Sequence, residues 1–342
     1  MTEQTHMRRE ISECADAARR FLSEGAEAVT AAGAALREKD PLFFVTIARG
    51  SSDHAASFLK YAIELTSGLP VASLGPSLGS IYKRDLRLGR AAGIAISQSG
   101  GSPDIVAMTE AVRRGGALTI ALTNTPGSPM TKKADHTLDI AAGVEKSVAA
   151  TKTFVNSVVA GLALLAAWRQ DDDLRKALET LPDALAKAVD CDWSALVTAL
   201  DGHQSLYVLG RGPSAAIAAE AALKFKETCS IHAESYSAAE VLHGPARIVE
   251  GGYPILALAA RDAAEDSVVA IAEQLAGQGG VAFVTSEHAR AAHRLPFAPS
   301  GHPLTDALVL VVSFYRFIEA LSRHRGFDPD RPPFLNKLTL TR

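Results

Sequence analysis

The sequence has few of the features that mark a secreted, membrane-bound or nucleic-acid-binding protein. Only 3 of its 342 residues are cysteines and none lies in a CxxC pair, so neither a disulfide framework nor a zinc ribbon is expected. Lysine plus arginine (35) nearly balances aspartate plus glutamate (38), and the net charge of −3 offers no broad basic field to nucleic acid or to an anionic membrane. The most apolar stretch, at 155–168, is shorter than the ~18 residues that a membrane span needs.

The N-terminal residues MTEQTHMRRE are polar and no apolar stretch follows them, so no signal peptide is expected. Hydrophobic residues make up 47% of the chain and charged residues 21%, which is typical of a soluble globular protein. At ~100–200 residues per domain, the length predicts about two domains. Composition and cysteine content together predict a reduced, cytoplasmic protein.

Three segments recur in order at nearly constant spacing. The segment 43–64 is similar to 206–227, and each has a short apolar strand, an Arg-Gly turn and an alanine-rich helix. Arg49 and Arg211, in these turns, lie 162 residues apart. Further pairs are 93–97 with 254–258 and 113–124 with 277–287. Strands that alternate with helical stretches predict parallel strands joined by helical crossovers, so each copy is expected to be one doubly wound unit.

The predicted fold class is therefore α/β, with two tandem doubly wound parallel sheets in a three-layer α/β/α arrangement. The predicted boundaries are an N-terminal helical arm at 1–40, a first subdomain at 41–168, a helical connector at 169–203, a second subdomain at 204–327 and an extended C-terminal tail at 328–342. Pro182 is expected to interrupt the connector helix, and three prolines keep the tail from being helical throughout.

The most distinctive local motif is the turn SQSGGS at 97–102, which follows a buried strand and precedes a helix. Ser102 suits the helix N-cap and Pro103 suits the first helical position. Helix N–H groups and serine hydroxyls would form an anion site at the carboxyl end of a strand, where open α/β sheets bind ligands. The motif is neither GxGxxG nor a Walker loop, so a monophosphate is favoured over a nucleotide. An ordinary capped loop is the alternative.

The turn at 49–53 ends the first strand and offers two further hydroxyls, from Ser51 and Ser52. A tight turn with a helix cap explains the same residues without a ligand. In the second copy, the loop that matches SQSGGS reads AARDAAEDS and lacks the serine cluster. One phosphate site per chain is therefore expected.

The second copy carries the densest set of ionisable groups. Glu220, Lys224 and Glu227 share one helical face, which a salt-bridged surface explains as well as a catalytic site does. No histidine or carboxylate spacing converges on a metal, and no cofactor is expected. In aldose–ketose isomerisation a carboxylate moves a proton between carbons 1 and 2, a donor–acceptor opens the ring, and a lysine can form a Schiff base. Glu227, His243 and a lysine fit these roles.

Together the motifs resemble the SIS (sugar isomerase) superfamily. The matching stretches are RGSS, SQSGGSPD, NTPGSPM, SVAATKTF, GRG, ALKFKE, IHAESYSAAEVLHGP and FLNKLTLT. Across nearly its full length the chain is similar to the isomerase half of glucosamine-6-phosphate synthase. The resemblance implies two tandem SIS subdomains in a homodimer that binds a sugar phosphate.

The resemblance also implies roles for individual residues. The phosphate ligands are expected to be Ser52, Ser97, Gln98, Ser99 and Ser102. The sugar is expected to contact Ser51, the backbone of Val148, and Lys224. The implied catalytic groups are Glu227 as the proton shuttle, His243 as the ring-opening residue supplied by the neighbouring subunit, and Lys337 as the Schiff-base lysine.

Two departures from the synthase pattern are visible. No glutaminase domain with an N-terminal cysteine is expected, since position 2 is threonine and the two SIS halves take up the length given. The synthase-type VAST is VAAT at 148–151, which is similar to stand-alone SIS deaminases of amino-sugar catabolism. The resemblance thus predicts conversion of glucosamine 6-phosphate to fructose 6-phosphate and ammonia. Three alternatives stay open: galactosamine 6-phosphate as substrate, a deglycase of a fructosamine 6-phosphate, and a non-catalytic sugar-phosphate sensor. A sensor needs the phosphate site but not Glu227, His243 and Lys337.

Overall fold

The computed structural model describes residues 4–337, which form 12 helices and 10 strands. The strands are β1 (Phe43–Ile47), β2 (Val71–Ser73), β3 (Ala91–Ile96), β4 (Leu118–Thr123), β5 (His136–Asp139), β6 (Ser205–Gly210), β7 (His232–Ser237), β8 (Pro254–Ala257), β9 (Val281–Val284) and β10 (His293–Arg294). The helices are α1 (His6–Ser12), α2 (Cys14–Glu24), α3 (Ala26–Lys39), α4 (Ser51–Ser67), α5 (Ser77–Ser80), α6 (Pro103–Arg114), α7 (Lys152–Arg169), α8 (Asp172–Ala188), α9 (Ser194–Ala199), α10 (Pro213–Cys229), α11 (Glu265–Gly277) and α12 (Pro303–His324). Short 3-10 helices lie at Thr131–Lys133, Glu240–Leu242 and Pro245–Ile248.

The strands form two five-stranded sheets with the same strand order. The first sheet runs β2-β1-β3-β4-β5, and the second, read in the matching direction, runs β7-β6-β8-β9-β10. Every strand pair in the described chain is parallel. Each strand of the second sheet takes the place of the strand five positions earlier in the chain. The predicted repeat, and with it the α/β class with two tandem doubly wound sheets, is confirmed.

The Arg-Gly turns of the two repeats have the same backbone conformation. Gly50, before α4, has φ 55° and ψ −135°, and Gly212, before α10, has φ 61° and ψ −137°. Glycine adopts such positive φ values readily because it has no Cβ. The shared turn starts a helix directly after β1 and β6, so the first residues of that helix lie at the carboxyl edge of its sheet.

Contacts divide the described chain into two compact units. The first-sheet unit comprises residues 16–145, 152–182 and 336–337, and the second-sheet unit comprises 4–15, 146–151 and 183–335. The short segment 146–151, which we name the VAAT loop, thus belongs to the second-sheet unit although it follows β5 in the chain. The subdomain boundaries at residues 40, 168, 203 and 327 stay a prediction.

The first-sheet unit has its core between the sheet and its helices. On one side, Val45, Ile105, Met108 and Val112 belong to a cluster of buried residues between the strands and α6. On α7, 15 of the 18 residues are buried, and this helix packs against α3 and α4. Among the helices formed by residues 4–337, none is both long and apolar enough to cross a membrane.

In the second-sheet unit, α11 packs against a cluster of buried residues and α10 packs against α12. Leu209, Ile255 and Val268 belong to the cluster at α11. Between α10 and α12, the rings of Phe225 and Phe314 lie 5.4 Å apart, centroid to centroid. This packing fixes α10, the helix that carries Lys224 and Glu227.

Pro182 does not interrupt the connector, contrary to the prediction. It lies inside α8, which runs from Asp172 to Ala188. The helix buries four leucines at helical spacing, which are Leu174, Leu178, Leu181 and Leu185. Burial of each leucine contributes ~1.5–3 kcal/mol, and together they exceed the ~3 kcal/mol that a proline costs a helix interior.

The C-terminal tail is described as far as Lys337. Residues 326–337 form turns and irregular chain, with no helix or strand among them. The rest of the predicted extended tail, 338–342, lies outside the described residues.

Candidate active site

Serine side chains support the turn at 97–102 from within. Ser97 Oγ accepts a hydrogen bond from the N–H of Gly100, and Ser99 Oγ accepts one from the N–H of Gly101, each at 3.2 Å. Ser102 is the N-cap of α6 and Pro103 its first residue, as predicted. The Ser102 side chain makes no capping hydrogen bond, so its hydroxyl is not used by the helix that it precedes.

Gly100 lets this turn lie against the chain that follows β4. Its φ is +57°, and a Cβ atom built on it would lie 2.1 Å from Ser128 Oγ. Its carbonyl accepts a hydrogen bond from the N–H of Met130 at 2.9 Å. Because any side chain at position 100 would displace the turn, the turn's shape depends on this glycine.

The backbone of Gln98 is held by the end of β4. Its carbonyl accepts hydrogen bonds from the N–H of Asn124 at 3.1 Å and from the hydroxyls of Thr123 and Thr125 at 3.2 and 3.3 Å. These bonds fix where the Gln98 side chain starts, and Gln98 lines a cavity of about 480 Å³ at this edge of the sheet.

An ion pair joins the loops after β1 and β3. Arg49 Nε lies 2.6 Å from Asp104 Oδ2, and the Asp104 side chain is fully buried in the first turn of α6. The other Asp104 oxygen accepts the N–H of Ile105 at 2.9 Å. Since β1 and β3 are neighbours at the point where strand order reverses, the pair spans the crevice in which such sheets bind ligands. Ser51 and Ser52 start α4 beside it and are half-buried.

Replacing Arg49 by methionine is expected to weaken phosphate binding about tenfold, because a buried carboxylate without this guanidinium repels an anion at the same helix terminus. Titration calorimetry with inorganic phosphate measures the effect. The matched control is Arg113→Met, which removes an ion pair between Arg113 and Asp135, 2.7 Å long and half exposed, at the other end of α6. Equal phosphate affinity in the Arg49 variant and the wild-type chain would contradict a role for Arg49 at the phosphate site.

Lys337 is held by a buried carboxylate of the same unit. Its Nζ lies 2.6 Å from Glu145 Oε2, and the Glu145 side chain is fully buried. Glu145 also accepts the N–H of Thr153 at 3.1 Å and its hydroxyl at 2.7 Å. Glu145 and Gln98 line the same cavity. Lys337, through its contact with Glu145, and the 97–102 turn therefore lie beside one cavity of the first-sheet unit.

A buried chain of charged groups lies on α10 in the second-sheet unit. Lys224 Nζ lies 3.1 Å from Glu220 Oε1 and 2.6 Å from Glu227 Oε2. Tyr315, on α12, donates its hydroxyl to Glu220 Oε1 at 2.9 Å. Lys224 and Glu220 are fully buried, whereas the Glu227 side chain is 22% exposed. Of the two carboxylates that contact Lys224, only that of Glu227 is therefore accessible to a ligand.

The electrostatics of this cluster keep the lysine charged. Burial by itself would lower the pKa of Lys224, but the carboxylates of Glu220 and Glu227 outweigh it and hold the pKa above its usual value. A fully buried lysine between two carboxylates is not a solvated surface ion pair, so the alternative of a salt-bridged surface is excluded.

His243 lies on an exposed segment between two 3-10 helices. Its backbone N–H donates to the carbonyl of Glu240 at 2.9 Å. Two residues on, the carbonyl of Pro245 accepts the hydroxyl of Tyr207 at 3.0 Å, which ties the segment to β6. Leu242 and Ile248, on the same segment, are 38% and 52% exposed. The histidine is thus held on an ordered segment that exposes two apolar side chains, those of Leu242 and Ile248.

Each predicted site residue belongs to one of the two units. The first-sheet unit contains Ser51, Ser52, Ser97, Gln98, Ser99, Ser102 and Lys337. The second-sheet unit contains Val148, Lys224, Glu227 and His243. Within the first unit the hydroxyl residues gather at the carboxyl ends of β1 and β3, and within the second unit Lys224 and Glu227 are in direct contact.

Sequence reasoning missed three partners of these residues, namely Asp104, Glu145 and Tyr315. Asp104 is typical of an acidic residue in a first helical turn, and nothing in its neighbours marks it as buried. Glu145 lies 192 residues from its lysine. Tyr315 belongs to an apolar helical stretch in which a core role is the natural interpretation. No local signal identifies any of them.

Metal-ligating groups are not clustered in the part of the chain that the structure describes. Across residues 4–337, no group of three or more histidine, cysteine, aspartate or glutamate side chains is arranged so that it could hold a metal ion.

Fold and site together define a protein with two doubly wound α/β units, a serine-rich turn at the switch point of one and a buried acid–base cluster in the other. The SIS domain family model matches residues 35–167 and 200–314, and the chain belongs to this family. An isomerizing glutamine–fructose-6-phosphate aminotransferase of Symbiobacterium thermophilum is 33% identical over 310 residues, which cover 85% of this chain and 50% of that protein. The chain thus spans about half the length of the curated relatives it matches.

Two solved structures extend the comparison. A candidate phosphosugar isomerase from Silicibacter pomeroyi DSS-3 is 56% identical, with a TM-score of 0.93 over 96% of this chain and 100% of that one. A glucosamine-6-phosphate deaminase from Thermotoga maritima has a TM-score of 0.77 over 98% of this chain and 100% of that one, and at 18% identity it shows the shared fold.

Proposed function

We propose that the protein is a phosphosugar isomerase that deaminates glucosamine 6-phosphate to fructose 6-phosphate and ammonia. The observation that carries the proposal is Glu227, a partly exposed carboxylate in contact with a fully buried lysine. A positioned carboxylate at the edge of a site can take a proton from carbon and return it to the adjacent carbon.

The phosphate is proposed to bind at the switch point of the first sheet. Ser52, Ser97, Ser99 and Ser102 offer hydroxyl donors there, with Gln98 beside them. The phosphate would orient the sugar so that its carbons 1 and 2 meet the acid–base groups, which lowers the entropic part of the barrier. Ser51, the Val148 backbone and Lys224 are proposed to contact the sugar.

The chemistry balances without a cofactor. His243 opens the ring by passing the proton of the anomeric hydroxyl to the ring oxygen. Glu227 removes the proton from carbon 2 and returns it to carbon 1, one amine proton passes to the oxygen on carbon 1, and the amine becomes a ketose imine. Water adds to this imine and ammonia leaves, which yields fructose 6-phosphate. We propose that Lys337 attacks the imine before water does: its amine displaces ammonia and forms a Schiff base, with Glu145 placed to take the lysine proton, and water then hydrolyses this Schiff base to fructose 6-phosphate and free Lys337.

His243 is proposed to act in the site of the neighbouring subunit of a homodimer. The exposed segment around it supports this, because Leu242 and Ile248 point apolar surface outward next to the histidine. Such a face is stabilised when a second copy covers it, and a symmetric dimer would then bring two histidines to two sites.

The test measures ammonia and fructose 6-phosphate release by the purified chain with three substrates in parallel. Equimolar release of both products from glucosamine 6-phosphate is the expected result. Release from galactosamine 6-phosphate alone would keep the mechanism and change the substrate. Cleavage of a fructosamine 6-phosphate alone would indicate a deglycase. Binding of sugar phosphates without turnover of any of them would contradict the enzyme and favour a sensor.

A further inference from the structure

Glu10 is a buried charged residue on α1 that the proposed mechanism does not use. It is 4% exposed, and its carboxylate faces the VAAT loop. The N–H of Lys146 donates to Oε1, and the N–H of Ser147 lies 3.4 and 3.3 Å from Oε1 and Oε2. The Ser147 hydroxyl donates to Oε2 as well. The Glu10 carboxylate thus accepts hydrogen bonds from two consecutive residues at the start of the loop.

A second attachment joins the same helix to the loop through Asp330. The Asp330 carboxylate accepts the N–H groups of His6 and Met7 at 2.7 Å each, at the beginning of α1. The Asp330 carbonyl accepts the N–H of Val148 at 3.3 Å. Helix α1, through Glu10, and the chain after α12, through Asp330, therefore hold the VAAT loop by hydrogen bonds on both sides of Ser147. Ser147 itself is fully buried.

These bonds decide which backbone group Val148 can offer to a ligand. Its N–H is engaged by Asp330, so the carbonyl of this half-buried residue is the polar backbone group left to face a sugar. A carbonyl accepts hydrogen bonds only, so the sugar would supply the donor, a hydroxyl or an amine. That carbonyl belongs to the peptide between Val148 and Ala149, so its direction follows from the backbone of Val148, which Glu10 holds through the N–H of the preceding Ser147 and Asp330 holds through the N–H of Val148 itself.

We propose that Glu10 is a positioning residue for the sugar, which acts by fixing the VAAT loop so that the Val148 carbonyl accepts a hydrogen bond from a sugar hydroxyl or amine. The inference rests on the proposed function, since it needs a sugar phosphate in the site. Glu10 touches no ligand itself. Its effect should fall on the sugar and spare the phosphate, because the proposed phosphate ligands belong to the first-sheet unit.

The test compares the affinities of the full chain for fructose 6-phosphate and for inorganic phosphate by calorimetry. In Glu10→Gln, an amide group replaces a carboxylate oxygen opposite two N–H donors, so the loop should shift. The affinity for fructose 6-phosphate is expected to fall about tenfold and the affinity for inorganic phosphate by less than about twofold. Ser147→Ala, which removes only the hydroxyl donor, should show the same selectivity with a smaller loss.

The control for helix stability is Thr5→Ala. Thr5 caps α1 by accepting the N–H of Arg8 at 3.0 Å and donates to Glu319 at 2.9 Å, and it makes no hydrogen bond to the VAAT loop. This variant should melt at a lower temperature but keep the wild-type ratio of the two affinities.

The outcomes separate this inference from the proposed function. Equal losses of both affinities in Glu10→Gln and Ser147→Ala, or the same selective loss in Thr5→Ala, would overturn the positioning role while the wild-type chain still released ammonia. A wild-type chain that binds inorganic phosphate but no sugar phosphate would overturn the proposed function and the positioning role with it.

Discussion

The Glu227→Gln variant is expected to lose ~10²–10⁴-fold in kcat, the usual contribution of a positioned acid–base group. Glutamine has the same shape as glutamate, but its amide cannot take a proton from carbon 2. Lys224 keeps its ion pair with Glu220 at 3.1 Å, so the helix should retain its packing. The affinity for fructose 6-phosphate, measured by calorimetry, is therefore expected to stay within about threefold of wild type.

Solvent exchange gives a second readout for the same residue. In heavy water the wild-type enzyme should place deuterium on carbon 1 of fructose 6-phosphate, because the shuttle exchanges its proton with solvent.

The matched control for the Glu227→Gln variant is Glu287→Gln, which removes an ion-paired carboxylate of the same unit that is 75% exposed. It should leave kcat unchanged. A Glu227→Gln variant that kept more than about a tenth of kcat would rule out the shuttle role.

The fold was accessible from the sequence because it rests on patterns that local chemistry sets. Apolar strands alternate with helices in both halves, and the Arg-Gly turns at Arg49 and Arg211 mark the same point of each repeat. Gly50 and Gly212 have nearly the same φ and ψ, which shows that the similarity of the two segments reflects one backbone geometry. The N-cap at Ser102 is local in the same sense, since it depends on residues next to each other in the chain.

The contacts that organise the candidate site are of a different kind. Glu145 with Lys337 and Glu10 with Ser147 are separated by 192 and 137 residues, and each pair depends on where packing brings two distant segments. A single acidic residue on a helix carries no mark of such a partner. Pro182 shows the converse, because a strong local preference against helix gives way to the burial of four leucines on α8.

A mixed dimer of Glu227→Gln and His243→Ala chains is expected to be active although neither variant is active by itself. If His243 acts across the interface, one site of the mixed dimer combines the intact Glu227 of one chain with the intact His243 of the other. The second site combines both defects. Dimers purified through two different tags should therefore show about half of the wild-type rate of ammonia release, because the two sites of a symmetric dimer are equivalent.

The reciprocal dimer makes the result decisive. Pairing a wild-type chain with a chain that carries both substitutions leaves no complete site if the histidine is shared, since each site then lacks either Glu227 or His243. If His243 instead serves its own chain, this dimer keeps about half of the wild-type rate and the first mixed dimer is inactive. A histidine shared across the interface thus makes the first mixed dimer active and the reciprocal dimer inactive, and a histidine that serves its own chain reverses this result. A general loss of folding would abolish the activity of both dimers. Activity found only in the dimer of a wild-type chain with a doubly substituted chain would therefore place His243 in the site of its own subunit and overturn the shared site.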